Sequence, residues 1–73
     1  KPHPEIFINA AKVLQCLTSQ CIVIEDALKG LSAAKAAGMS CIIIRNQLNQ
    51  KIDFSEADLT FSNLSSFLNI LKF

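Results

Sequence analysis

The sequence predicts an α/β fold, specifically part of a Rossmann-like parallel sheet with flanking helices. Three observations predict it. Two short runs, Cys21-Ile22-Val23-Ile24 and Cys41-Ile42-Ile43-Ile44, are rich in β-branched residues and do not alternate with polar ones. That is the habit of strands covered on both faces in parallel sheets. A helix-patterned segment lies between them, so strand, helix and strand follow in the order of a right-handed crossover unit. Finally, 51% of the 73 residues are apolar, which is high for a chain with so much surface per residue. Faces of these elements are therefore expected to be covered by something outside the 73 residues.

The chain opens on Pro2 and Pro4, and proline is tolerated in a first helical turn, where its missing N–H would lack a partner anyway. From Glu5 to Leu17 the apolar positions Ile6, Phe7, Ala10, Val13, Leu14 and Leu17 follow helical spacing, opposite Glu5, Asn9, Lys12 and Gln15. Thr18, Ser19 and Gln20 end this helix. The first buried strand, Cys21 to Ile24, closes abruptly on Glu25 and Asp26. A second helix is expected over about Leu28 to Ala37, with Leu28, Leu31 and Ala34 inward and Lys29, Ser32 and Lys35 outward. Its alanines favour helix, and Gly38 suits a C-terminus that needs positive φ.

The second strand, Cys41 to Ile44, is followed by a polar, irregular segment from Arg45 to Glu56, read as a loop. Leu59 and Phe61 predict a third short strand. Ser62 or Asn63 can cap a last helix in which Leu64, Phe67, Leu68 and Leu71 recur at helical spacing. Three parallel strands with incompletely covered faces make an unfinished structure, so the chain is expected to be part of a larger α/β domain.

Net charge is +1, with acids and bases interspersed, which gives no electrostatic footing for nucleic acid. No apolar run approaches the ~20 residues of a membrane span. Cys16, Cys21 and Cys41 lack the paired spacing of a zinc site and read as buried, reduced thiols of a cytoplasmic protein. There is no signal-peptide pattern and no starting Met, so Lys1 is expected to follow a cut.

Glu25 and Asp26 are the first candidates for chemistry. They stand at the carboxyl end of a buried strand, where open α/β sheets bind ligands, and their hard oxygen donors suit Mg²⁺. The competing reading is that Asp26 caps the following helix. Lys1, before a proline-defined helix start, could reach a phosphate as a point charge. His3 reads as a surface or helix-start residue rather than a metal ligand. Gly30 costs the second helix ~1 kcal/mol relative to alanine, which close approach of a neighbouring backbone would explain. Arg45 could touch substrate but reads better as a solvated loop charge.

Three segments now stand together: Lys1-Pro2-His3-Pro4-Glu5-Ile6-Phe7, Ile24-Glu25-Asp26-Ala27-Leu28-Lys29-Gly30, and Ala33-Ala34-Lys35-Ala36-Ala37-Gly38-Met39. In this order and spacing they resemble the third and fourth signature segments of haloacid dehalogenase-like hydrolases. The nearest branch is that of β-phosphoglucomutase and the sugar-phosphate phosphatases. The resemblance covers roughly residues 1–44.

It implies a Mg²⁺-dependent phosphohydrolase, a phosphatase or phosphoglucomutase as the full-length protein, that acts on a small phosphorylated metabolite such as a sugar phosphate through an aspartyl-phosphate. By the resemblance, Lys1 is catalytic, neutralising charge on nucleophile and phosphoryl group. Asp26 is the more direct Mg²⁺ ligand, with Glu25 beside it. Ala27 stands where the family often has serine, which removes a hydroxyl from the metal's surroundings. No Asp-x-Asp occurs in the sequence. Residues 1–73 are thus expected to be the C-terminal part of a core domain whose nucleophile strand and cap lie elsewhere, and to be inactive alone. The expected partners are the phosphorylated metabolite and the N-terminal part of the same domain, with no nucleic acid or membrane. The alternative is a non-enzymatic α/β binding or signalling module, a receiver-like or flavodoxin-like half domain.

Overall fold

Elements follow in the order α1 (Glu5–Leu14), a 3-10 turn (Thr18–Gln20), β1 (Ile22–Glu25), α2 (Leu28–Ala36), β2 (Ser40–Ile44), β3 (Leu59–Phe61) and α3 (Leu64–Ile70). They belong to a computed structural model that describes residues 3–71 of the chain. The three strands form one parallel sheet in the order β1-β2-β3. Register places Ile24 beside Ile42 and Ile42 beside Leu59, with Ile44 beside Phe61. The predicted α/β class and the order of elements are those observed.

Side chains alternate along a strand, so Val23, Cys41 and Ile43 share one face. That face is buried, together with Leu31, Ala34 and Ala37 of the second helical segment, Ala11 of α1, Met39 and Phe54. Alanine at the helix positions lets the backbone come close to the sheet. Ala34, Cys41 and Ile43 are completely inaccessible.

The opposite face differs from the expectation of strands covered on both sides. Ile22 and Ile24 of β1 are 62% and 52% exposed. α3 covers only the far end of this face, where the Phe67 ring meets Phe61 edge-on at 5.4 Å. A parallel sheet covered along one face only leaves its other isoleucines in water, whatever their strand propensity.

α1 also presents a different face from the one its pattern predicts. Phe7, Ile8 and Ala11 pack on the core, while Ile6, Val13, Leu14 and Leu17 are exposed. It stops three residues early, because Gln15 turns left-handed at φ 57° and the Cys16 N–H bonds the Ala11 carbonyl at 3.0 Å. This closes the helix end with the usual six-residue C-terminal loop. Gly38, at φ 78°, follows α2 as expected. In α2, Leu28 lies outside the buried face at 48% exposure, and Ala33 lies inside it. Asn63, not Ser62, caps α3, its Oδ1 accepting from the Ser66 N–H at 2.8 Å.

One clamp ties three elements. Asp58 Oδ2 accepts from the Cys41 N–H at 2.7 Å and from Lys35 Nζ at 2.9 Å, while the Asp58 N–H donates to the Cys41 carbonyl at 2.9 Å. The Lys35 ammonium first, then the Cys41 amide, holds the Asp58 carboxyl below the usual aspartate range. Cys41 is buried as expected, and desolvation, then the nearby Glu25 and Asp58 charges, pushes its thiol up. Cys16 corrects the expectation of buried thiols, being exposed.

Candidate functional site at the carboxyl edge

β1 and β2 end side by side, and the chain must turn out of each. At the end of β1 the turn is made by Glu25 itself. Its Oε1 accepts from the Asp26 N–H at 3.2 Å and from the Ala27 N–H at 3.3 Å. Ala27, the N-cap of α2, has no side-chain cap. Asp26 therefore does not cap the helix, and the neighbouring glutamate satisfies the turn instead. Glu25 achieves this by lying over Gly30. A Cβ on Gly30 would collide with the Glu25 Cγ, Cδ and Oε1 atoms. The close approach inferred from a glycine inside a helix is real, but the approaching group is this carboxyl side chain rather than backbone.

At the end of β2, the segment from Arg45 to Glu56 is a built loop rather than a solvated one. Arg45 Nη1 donates to the carbonyls of Asn49, Gln50 and Ile52 at 3.0, 3.3 and 3.2 Å, and its guanidinium stacks 5.0 Å over the Phe54 ring. It is thus a structural hub, corrected from a loop charge in solvent. A guanidinium suits this role because its planar fork can serve several acceptors while stacking.

Asn49 is the buried polar side chain of the described residues, at 3% exposure. Its Nδ2 donates to the Asp26 carbonyl at 2.9 Å and the Ile44 carbonyl at 3.2 Å, and its Oδ1 accepts the Asn46 N–H at 2.8 Å. Asn46 in turn donates through Nδ2 to Asp26 Oδ2 at 3.4 Å. The sequence reading missed both asparagines. The available signal was Asn-x-x-Asn directly after a strand, since asparagine bonds its own backbone in turns.

An open cleft of about 560 Å³ results, lined by Glu25, Asp26, Asn46, Gln47 and Asn63 with Ile24 and Ile44 below. A second, of about 580 Å³, lies on the far side of Glu25, between His3, Phe7, Lys29 and Gly30. Glu25 borders both. Asp26 is exposed, Glu25 is half-buried, and His3 is exposed as its surface reading requires. Lys1, the proposed catalytic cation, lies outside the described residues. Among the described residues no three acidic, histidine or cysteine side chains converge. A cation held here would take one or two carboxylates from this chain and the rest of its oxygens elsewhere, which is within the habit of Mg²⁺.

The family model for haloacid dehalogenase-like hydrolases matches residues 1–38, just over half the chain. The chain belongs to the haloacid dehalogenase-like hydrolase family. The matched stretch ends at Gly38 and so takes in both carboxylates and Gly30. The chloroplastic protein Suppressor of quenching 1 of Arabidopsis thaliana is 54% identical over 71% of this chain and 5% of its own length. Beta-phosphoglucomutase of Bacillus subtilis is 48% identical over 58% of this chain and 19% of its own. The crystal structure of CbbY from Rhodobacter sphaeroides, in complex with phosphate, superimposes with a TM-score of 0.79 and 33% identity over 86% of this chain. This chain covers 28% of that one. It spans under a third of the length of each of these relatives.

Proposed function

We propose that this chain contributes the charge-stabilising half of a Mg²⁺-dependent phosphohydrolase active site, within a longer protein that acts on a small phosphorylated metabolite such as a sugar phosphate. The observation that carries the reading is Asp26 at the carboxyl edge of a parallel sheet, its carboxylate bonded by Asn46 and its backbone carbonyl by Asn49. Open α/β sheets take ligands at that edge, and the match to CbbY bound to phosphate supports a phosphate-bearing ligand.

Phosphoryl transfer asks a protein mainly for positioning and for charge opposite the developing negative oxygens. In this reading Asp26 would hold Mg²⁺, which when bound would supply positive charge against the phosphoryl oxygens. Glu25 shapes the turn beside it and contributes negative charge. Lys1 would neutralise charge on the nucleophile and the phosphoryl group. The nucleophile, an aspartate that becomes aspartyl-phosphate, would come from outside these 73 residues, as would the groups that choose the substrate.

Hydrolysis of p-nitrophenyl phosphate by the full-length protein with Mg²⁺ tests this. Asp26→Ala is expected to remove at least 100-fold of the Mg²⁺-dependent rate. Undiminished turnover in that variant would sink the assignment.

A further inference from the structure

We infer that Asn49 and Asn46 act together as the positioning device for Asp26, so that metal affinity depends on two amides that never touch the cation. The inference rests on the reading of Asp26 as a Mg²⁺ ligand and adds what holds it. Asp26 is exposed and sits one residue past the end of β1, a place where a carboxylate ordinarily samples several rotamers. Here both its backbone and its side chain are held. Asn49, 3% exposed, ties the Asp26 carbonyl to the Ile44 carbonyl, joining the ends of two neighbouring strands through one amide nitrogen.

The Asn49 Oδ1 fixes the Asn46 N–H, and Asn46 Oδ1 accepts the Leu48 and Asn49 N–H groups at 2.8 and 3.1 Å. With its oxygen and backbone so engaged, Asn46 has its Nδ2 left to meet Asp26 Oδ2. A continuous path of hydrogen bonds thus runs from a buried anchor to one carboxylate oxygen, and no described residue bonds the other. The free Oδ1 is oriented without being used, which is what a ligand to a hard cation needs. Partners of this kind commonly set metal affinity by 10- to 100-fold when removed. An amide suits the task better than a second carboxylate, because it orients Asp26 without repelling it.

The test is calorimetric titration of the full-length protein with Mg²⁺ alone, in the variants Asn49→Ala, Asn46→Ser and Asp26→Asn, with thermal unfolding of each measured without Mg²⁺. Asn49→Ala is expected to raise the Mg²⁺ Kd about tenfold or more, and Asn46→Ser, at an exposed position whose hydroxyl can still accept a loop N–H, to raise it without a matching fall in Tm. Asn46→Ser decides the matter where Asn49→Ala fails to fold. If either folded asparagine variant lowers only Tm and binds Mg²⁺ as wild type, the pair is merely structural and the inference is overturned. If Asp26→Asn also binds as wild type, the metal assignment falls with it. Loss of binding in Asp26→Asn but in neither asparagine variant overturns the positioning role alone.

Discussion

Gly30 and Glu25 show how one missing atom can serve a site. Replacing Gly30 with alanine should raise helix propensity by about 1 kcal/mol. The new Cβ would force Glu25 into another rotamer, because it meets the far part of a flexible side chain rather than backbone. The displaced carboxylate would give up its bonds to the Asp26 and Ala27 amides, worth about 0.5–1.5 kcal/mol each. The gain offsets only part of the loss, which leaves a net cost of about 0–2 kcal/mol. Gly30→Ala is therefore expected to lower unfolding free energy in denaturant by up to about 2 kcal/mol, and to weaken Mg²⁺-dependent turnover of the full-length protein. A double-mutant cycle with Glu25→Ala should be strongly non-additive in activity. At this scale Glu25, Asp26 and Gly30 were readable, because acids at a strand end and a glycine inside a helix stand out locally. Asn49 was not, because its burial depends on two strand ends meeting, and the local Asn-x-x-Asn spacing signals a turn but not that meeting.

Among elements, the Lys35–Asp58–Cys41 clamp gives a pH dependence with a definite sign. A carboxyl held below its ordinary value contributes stability above the unfolded aspartate value of about 3.9 and loses that contribution as pH falls through the folded value. Asp58→Asn keeps an acceptor for the Cys41 N–H but removes the charge that Lys35 pairs with. The Tm difference between wild type and this variant is expected to be largest above about pH 5, to begin shrinking near about pH 4 and to close only as pH falls through the lower folded value. Asp53 is also held low, first by the Ser55 amide, but it is common to both proteins and cancels. The identity and order of all six regular elements were readable from spacing and from apolar runs. Which face each buries was read wrongly for α1, β1 and part of α2. Periodicity reports where apolar residues lie on a helix, whereas burial requires a neighbour. The stripe Ile6, Val13, Leu14 and Leu17 is left largely exposed by the described residues.

The molecule as a whole carries too much surface for its mass. Its accessible area is 5408 Å², against about 4,450 Å² for a folded monomer of this size. The body measures 35 × 32 × 15 Å, a slab rather than a sphere. Ile22, Ile24 and the outer apolar stripe of α1 are among its exposed large apolar side chains, and exposed apolar surface of this kind is a contact site or an aggregation liability where it is contiguous. The 73-residue chain made alone is expected to bind an apolar dye such as ANS and to associate as concentration rises, measured by sedimentation. It is also expected to show no Mg²⁺-dependent phosphatase activity.

The three thiols occupy three depths: Cys16 in the open, Cys21 half-covered and Cys41 at zero accessibility on the central strand. Attack on a disulfide reagent needs the thiolate, and Cys41 is both screened and reluctant to ionise. Its labelling rate should then track the opening of the sheet rather than the chemistry of the reagent. A thiol titration with Ellman's reagent should accordingly resolve one rapid, one slower and one opening-limited phase. The last of these would make the protein its own stopwatch for local unfolding, with no probe introduced.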